Sequence, residues 1–173
     1  IASPDIAVVT TVGESHLDGL GSLEGVLDEK LDLFRSMTEG GRCVVGDEPV
    51  ELVEAAQAIC SDLRIAGYSE RADPDLRPEQ CETDVFGAPR FEWRGHTVTL
   101  ALPGPHSVVN ALISLAISEL VGVRPRDAVR GLASAEVSPL RSEIRQIGDV
   151  RVIADCYNSN PQSLRAALEV LIA

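Results

Sequence analysis

Short apolar runs alternate along this chain with longer stretches in which apolar residues recur at helical spacing. The apolar runs predict buried strands, at residues 5–12, 43–45, 65–68 and 150–154. Apolar positions three and four apart predict helices, at residues 23–36, 51–63, 105–120, from 125 onward and 164–171. This alternation predicts an α/β fold in which a mostly parallel sheet is flanked by helices.

Two tight turns predict antiparallel hairpin additions to this sheet. The turns are Arg94-Gly95 and Gly148-Asp149, and the flanking segments are 90–93 with 96–102 and 144–147 with 150–154. Residues 73–89 are rich in proline and charge, and we expect them to be the least regular part of the chain. At 173 residues the whole chain suits one domain.

Charge and composition narrow the classes of protein to consider. The net charge of −12 leaves no basic stripe for a nucleic-acid backbone, although a nucleotide stays possible as a ligand. No apolar run approaches the ~20 residues of a membrane helix and no secretory leader opens the chain, so we expect a cytoplasmic protein without membrane insertion. The absence of C-x-x-C spacing favours reduced thiols over a zinc site or a disulfide framework. The four cysteines are Cys43, Cys60, Cys81 and Cys156.

The segment 155–163 is the most informative part of the chain, because it joins a predicted buried strand to a predicted helix. Asn160 suits the helix N-cap and Pro161 suits the first helical position. In open α/β sheets, ligands bind where loops leave the carboxyl ends of strands beside helix N-termini. The loop carries a carboxylate, a phenol and an amide that suit a polar ligand, on Asp155, Tyr157 and Asn158. The same residues also suit an ordinary capped turn.

A lysine interrupts the apolar face of the predicted helix 23–36. Lys30 lies inside the stripe that is formed by Leu23, Val26, Leu27 and Phe34. Its amine either extends to the edge of the helix and into solvent, or it has a perturbed pKa and a chemical role. In the second case the neutral amine can react with carbon dioxide, and the resulting carbamate is an oxygen ligand for Mg²⁺. His16, in the glycine-rich loop 13–21, either makes structural hydrogen bonds or shares a metal site with Lys30.

The predicted helix 105–120 is apolar nearly all round, so we expect it to be buried. His106, Asn110 and Ser114 share one of its faces at four-residue intervals. A buried Asn110 needs partners for its amide, which either an adenine or a neighbouring helix supplies. Arg141, a lone cation before a predicted strand, suits either a phosphate or a surface salt bridge.

Four motifs resemble, in the same order, those of the central ATP-binding domain of the Mur ligases. They are the metal-site loop at 12–22, the carbamylated lysine at Lys30, the adenine-reading helix start at 104–112 and the D-x-Y-N-A-N-P signature at 155–161. The resemblance implies that residues 1–173 form an incomplete central domain of the P-loop-NTPase type. Within the family, the last signature indicates the ligases that add D-alanyl-D-alanine to UDP-N-acetylmuramoyl-tripeptide in peptidoglycan synthesis.

The resemblance also implies roles for individual residues. His16 and carbamylated Lys30 would hold Mg²⁺ near the γ-phosphate of ATP. Asn110, beside His106, would contact the adenine, and Arg141 would contact the phosphates. The nucleoside would be contacted by Asp155, Tyr157 and Asn158. The family's reaction transfers phosphate from ATP to the tripeptide carboxylate, and the amine of the dipeptide then attacks the acyl phosphate. Thr11, Ser107 and Leu140 depart from the family pattern.

The sequence contains no G-x-x-x-x-G-K-S/T phosphate-binding loop. The resemblance therefore implies that this loop and a metal-binding glutamate precede Ile1 and that a C-terminal domain follows Ala173. We accordingly expect the 173-residue chain alone to be inactive. Two other hypotheses stay open, a sibling ligase that uses a different amino acid or carboxylate and a non-catalytic nucleotide-binding or scaffolding module.

Overall fold

The computed structural model describes residues 3–14, 17–84, 87–136 and 138–172. The strands are β1 (Ile6–Val9), β2 (Arg42–Gly46), β3 (Leu63–Ala66), β4 (Glu79–Thr83), β5 (Pro89–Trp93), β6 (His96–Thr99), β7 (Glu143–Ile147) and β8 (Val150–Ala154). The helices are α1 (Leu17–Leu20), α2 (Leu23–Arg35), α3 (Val50–Ile59), α4 (Pro105–Leu120), α5 (Pro125–Ala133) and α6 (Pro161–Ile172).

Three parallel strands form the main sheet, in the order β1–β2–β3. Val8 of β1 pairs with Val44 of β2, and Val45 pairs with Ile65 of β3. Because the strands are parallel, their carboxyl ends meet at one edge of the sheet. The predicted α/β class with a parallel sheet and antiparallel additions is confirmed.

Helices cover both faces of this sheet, as the side chains of β2 illustrate. Cys43 and Val45 belong to a buried cluster with α2 and α3, whereas Val44 between them packs with α4 on the other face. All three side chains are fully buried. A strand that is covered on both faces needs apolar residues at consecutive positions, which explains the unbroken apolar runs in the sequence.

Two antiparallel units accompany the parallel sheet, a three-stranded sheet of β4, β5 and β6 and a hairpin of β7 and β8. The tight turn between β5 and β6 has positive φ at both residues, +49° at Arg94 and +73° at Gly95, as a two-residue hairpin turn requires. The segment 73–89, expected to be the least regular part of the chain, contains the strand β4, which the sequence analysis did not predict. The residues of β4 are all exposed and mostly polar, so no apolar alternation marks the strand in the sequence.

Helix α2 keeps nearly its predicted bounds and buries Val26 and Phe34 of its predicted stripe. Its N-cap is Ser22, whose hydroxyl oxygen accepts the N–H of Gly25 at 3.2 Å. Leu23 is 42% exposed, and Leu31 is buried instead, together with Phe34. The prediction therefore identified the helix but placed its apolar face partly wrongly.

Helix α3 ends at Ile59, four residues before its predicted end. Cys60 already has an extended backbone, with φ of −112° and ψ of 120°, and Leu63 begins β3. A short apolar segment suits the end of a helix and the start of a buried strand equally well. Periodicity therefore could not place this boundary.

Two features bear on the class of protein. Across the four described stretches, no helix has the length and apolarity to cross a lipid bilayer. The four cysteines are free thiols, with Cys43 and Cys60 buried and Cys81 and Cys156 exposed. Burial and the adjacent Cys60 raise the pKa of the Cys43 thiol, so Cys43 acts as a small apolar residue of the core.

Candidate functional site

A cleft of about 910 Å³ lies at the carboxyl edge of the parallel sheet. Each of the three strands contributes the residues at its end, which are 10–11 for β1, 46–48 for β2 and 68–69 for β3. The first turns of α4 and α6 and the segment around Arg141 complete the wall. This is the position where open α/β sheets bind ligands.

Six of the eight residues that the sequence analysis selects line this cleft. They are His106, Asn110, Arg141, Asp155, Tyr157 and Asn158. Lys30 contacts the backbone of the cleft residue Thr11, and His16 falls outside the described residues. Residues that are distant in sequence therefore come together at one edge of the sheet.

Arg141, in the turn before β7, stacks on an aromatic ring. The central carbon of its guanidinium lies 4.3 Å from the centroid of Tyr157, a residue that is 66% exposed. Within the described residues no carboxylate forms an ion pair with Arg141, so the surface salt bridge considered from the sequence is not formed. Because no described residue accepts a hydrogen bond from Arg141 either, its N–H groups are free for an anion.

The start of α6 faces the cleft with a complete cap. Asn160 Oδ1 accepts the N–H of Ser163 at 2.8 Å, and Ser163 Oγ accepts the N–H of Asn160 at 3.0 Å. The prediction of Asn160 as N-cap and Pro161 as first helical residue is confirmed. Gln162 packs against Gly13, in the loop after β1. The positive end of the α6 dipole therefore lies at the cleft wall.

The first turns of α4 present a polar face to the cleft. His106 and Asn110 are both exposed on this face, so the prediction of a buried Asn110 is wrong. The opposite side of the helix supplies the buried residues, among them Val108, Leu112 and Leu115. No hydrogen bond joins the Asn110 amide to another described residue, and the predicted alternative of a helix–helix hydrogen bond is not realised. The amide is therefore available to a ligand.

His106 rests on Gly104, the residue that precedes α4. A Cβ at Gly104 would lie 2.9 Å from His106 Cε1, and the φ of +89° also favours glycine there. The surrounding protein lowers the pKa of the imidazole, while the negative charges of Asp155 and Glu169 partly oppose this effect. The lowered pKa favours the neutral imidazole, which can offer a ligand both a donor and an acceptor.

Lys30 is the only lysine in the sequence. Its Nζ donates to the carbonyl oxygen of Thr11 at 2.7 Å, and the side chain is half-buried. Desolvation lowers the pKa of this amine. The amine therefore points to the protein backbone, and its chemical role stays a prediction.

Asp47 is a cleft residue that the sequence reasoning missed. It follows β2, is 4% exposed, and accepts the N–H of Ser69 at 2.6 Å. Its carboxyl group lies over Gly67, where a Cβ would collide with it. The sequence did contain a signal, because Asp47, like Asp155, is the first carboxylate after a buried strand. Tyr68 was also missed and lines the same wall.

The cleft carries more negative than positive charge. Among the described residues that line it, Arg141 is the one permanent cation, and the carboxylates are Asp47, Glu48 and Asp155. A polyphosphate placed here would meet repulsion from these carboxylates. Arg141 and a divalent cation together would offset that repulsion.

Known proteins resemble this chain over nearly its whole length. The family model of the Mur ligase middle domain matches residues 1–118. A UDP-N-acetylmuramoyl-tripeptide–D-alanyl-D-alanine ligase from Bacillus subtilis is 33% identical over 175 residues, which cover 98% of this chain and 36% of that protein. The chain thus spans about a third of the length of the curated relatives that it matches.

Solved structures share the fold over nearly the whole chain. MurF from Acinetobacter baumannii is similar with a TM-score of 0.82 and 28% identity, over 98% of this chain and 38% of that one. MurF ligase from Thermotoga maritima, in complex with ADP, is similar with a TM-score of 0.83 and 23% identity, over 99% of this chain and 40% of that one. The combination of a parallel sheet with small antiparallel sheets is therefore shared with solved proteins.

Proposed function

The chain belongs to the Mur ligase family, and we propose that it forms most of the ATP-binding domain of a ligase that joins D-alanyl-D-alanine to UDP-N-acetylmuramoyl-tripeptide. Mur ligases are ATP-dependent amide ligases. Two observations support this branch of the family. Residues 155–161 follow the D-x-Y-N-x-N-P pattern, and relatives with this activity in their names match almost the entire chain.

The observation that carries the proposal is the presence of Arg141, Asn110 and the start of α6 in one cleft. Asn110 offers a free amide to the edge of an adenine, and Arg141 offers N–H donors to phosphates. The dipole of α6 adds positive potential beside them. The remaining cleft residues would contact the nucleoside, namely His106, Asp155 and Asn158. The ADP in the Thermotoga maritima relative is a ligand of this class.

The proposed reaction depends on alignment and charge neutralisation rather than on a covalent nucleophile of the protein. An oxygen of the tripeptide carboxylate bonds to the γ-phosphorus of ATP, and ADP leaves. The amine of D-alanyl-D-alanine then bonds to the acyl carbon, phosphate leaves, and the nitrogen loses a proton. Arg141 would offset the charge on the phosphoryl oxygens while Asn110 would fix the base.

Mg²⁺ would neutralise phosphate charge in this reaction, and among the described residues Lys30 offers a group that could hold it. The described residues contain no group of three or more His, Cys, Asp or Glu side chains that could hold a metal ion. Mg²⁺ at nucleotide sites commonly takes one or two protein oxygens and completes its shell with phosphates and water. We propose that a carbamate on Lys30 supplies such an oxygen and that His16 is the second protein ligand.

The proposed function is tested by measuring phosphate release by the natural-length protein that contains this chain. We expect release to require ATP, the muramoyl-tripeptide and D-alanyl-D-alanine together. Release with a single amino acid in place of the dipeptide would assign a sibling ligase instead. Nucleotide binding without any release across a panel of carboxylates and amines would assign a non-catalytic module.

We expect the isolated 173-residue chain neither to hydrolyse ATP nor to form amide bonds. The physical reason is that the sequence has no phosphate-binding loop, and the cleft provides only one permanent cation among its described residues. Phosphate release by the purified chain, compared with that of the natural-length protein at equal concentration, checks this. Turnover by the chain that exceeds the buffer blank would refute the expectation.

Asn110→Ala is expected to weaken ATP binding to the natural-length protein about tenfold, within the ~1–3 kcal/mol of a good amide–base contact. GTP, whose base presents a different edge, should be much less affected. Ser114→Ala is the matched control, because Ser114 lies one turn further along the same face and its hydroxyl donates to the backbone carbonyl of Asn110. Equal losses for ATP and GTP would contradict a role of Asn110 in reading adenine.

A further inference from the structure

Backbone hydrogen bonds fasten the turn that carries Arg141 to the segment 155–157. The carbonyl of Leu140 accepts two backbone N–H groups from that segment, at 3.1 and 3.2 Å. The N–H of Ser142 donates to Oδ1 of Asp155 at 2.9 Å. The two residues that flank Arg141 are therefore both tied to the loop that opens α6.

The turn itself has an uncommon backbone. Leu140 has a φ of +61° and Ser142 a φ of +48°, so Arg141 lies between two left-handed residues that are not glycine. Such conformations are strained and persist where the surroundings over-determine them. The hydrogen bonds to the segment 155–157 meet that condition. The position of the Arg141 backbone is thus fixed, and its long side chain retains most of the remaining freedom.

The ring of Tyr157 is the described group that restricts this side chain, through the 4.3 Å stack. No described residue forms a hydrogen bond or an ion pair with the N–H groups of Arg141, so these donors stay unused. The other charged groups that line the cleft are carboxylates, at Asp47, Glu48 and Asp155. An ion pair with one of them would turn the donors of Arg141 away from an incoming anion.

We propose that Tyr157 is a positioning residue whose ring holds the Arg141 guanidinium ready for the phosphates of the nucleotide. This inference rests on the proposed function, because it takes the phosphates to be the anion that Arg141 binds. It assigns Tyr157 an effect through Arg141 in place of a direct contact with the nucleoside. The signature tyrosine and the arginine, 16 positions apart in sequence, then form one functional unit.

The test measures the affinities of ADP and adenosine for the natural-length protein by titration calorimetry. We expect Tyr157→Leu to weaken ADP about two- to fivefold, the change that corresponds to an exposed cation–π contact, and to leave adenosine unchanged. Tyr157→Phe keeps the ring and is expected to match the wild type. In the Arg141→Ala background, Tyr157→Leu should cause no further loss, because the ring then has no guanidinium to hold.

Each other outcome overturns the proposal. An equal loss for ADP and adenosine would place the ring against the nucleoside itself. If Tyr157→Leu still weakened ADP binding in the Arg141→Ala background, the effect of Tyr157 would not depend on Arg141. Tighter ADP binding by Tyr157→Leu would mean that the ring holds Arg141 away from the ligand, and unchanged binding would mean that it does nothing. If the wild type bound no ADP, the proposed function itself would fall as well, so the two failures are distinguishable.

Discussion

Lys30→Met is expected to reduce ligase turnover of the natural-length protein by at least about a hundredfold, the order of loss seen when a charge-stabilising group is removed from an active site. The melting temperature is expected to stay the same or to rise. A methionine has nearly the length of lysine and removes a half-buried amine that desolvation disfavours in its charged form. A lysine retained only for packing would give the opposite pattern, with lost stability and intact turnover.

The pKa of Lys30 also sets the expected pH dependence. Carbamate formation requires the neutral amine, and the lowered pKa increases the neutral fraction at any pH below the ordinary pKa of lysine. Turnover should therefore fall as the pH decreases, since the amine becomes protonated and the carbamate is lost. Added bicarbonate should partly restore the activity at the lower pH.

Labelling with ¹³C-bicarbonate gives a readout that does not depend on turnover. We expect a carbamate carbonyl resonance in the wild type that is absent from Lys30→Met, and because the two proteins differ only at this residue the comparison assigns the resonance. Glu29→Gln is the matched control, as Glu29 is the exposed neighbour on the same helix. An active enzyme that shows no carbamate resonance would refute the role of Lys30.

Gly67→Ala is expected to lower the free energy of unfolding by about 2–3 kcal/mol, since it combines steric overlap in a packed site with the loss of a buried hydrogen bond. The added Cβ would occupy the space of the Asp47 carboxyl group. That carboxylate would have to move, which breaks its hydrogen bond with the N–H of Ser69 and leaves a buried charge without its partner. The cleft wall at Asp47 and Ser69 would move with the carboxylate.

Gly131→Ala is the matched control for this substitution. Gly131 lies within α5, no atom comes within 4 Å of a Cβ built there, and its φ is not positive. Alanine favours helix, so we expect a gain of about 0.5–1 kcal/mol. Urea unfolding of the two variants and the wild type measures both changes. Equal stability of Gly67→Ala and the wild type would contradict the close approach of Asp47 to Gly67.

The features that could be predicted from the sequence are those that depend on local chemistry. The unbroken apolar runs predict strands buried on both faces, and β1, β2 and β3 form such a sheet. Asn160 and Pro161 define the start of α6 because an N-cap needs only the residues next to it. Periodicity likewise placed His106 and Asn110 on one face of α4.

The features that the sequence reasoning missed depend on segments that approach each other only in the folded chain. Periodicity could not tell whether the polar face of α4 meets another helix or an open cleft, so the exposure of Asn110 was missed. The burial of Asp47 requires the β3 end beside the β2 end, and it was overlooked although the rule that selected Asp155 applies to it. The stack of Arg141 on Tyr157 depends on two strained residues that no propensity indicates.

The walls of the cleft extend from Thr10, beside the first strand, to Ala167, in the last helix. No shorter stretch of the chain encloses it, so a molecule bound there interacts only with the completely folded form. By mass action such a molecule stabilises that form by RT ln(1 + [L]/Kd). A ligand bound in the cleft would thus stabilise both ends of the chain at once. It would protect the first strand and the last helix from proteolysis together.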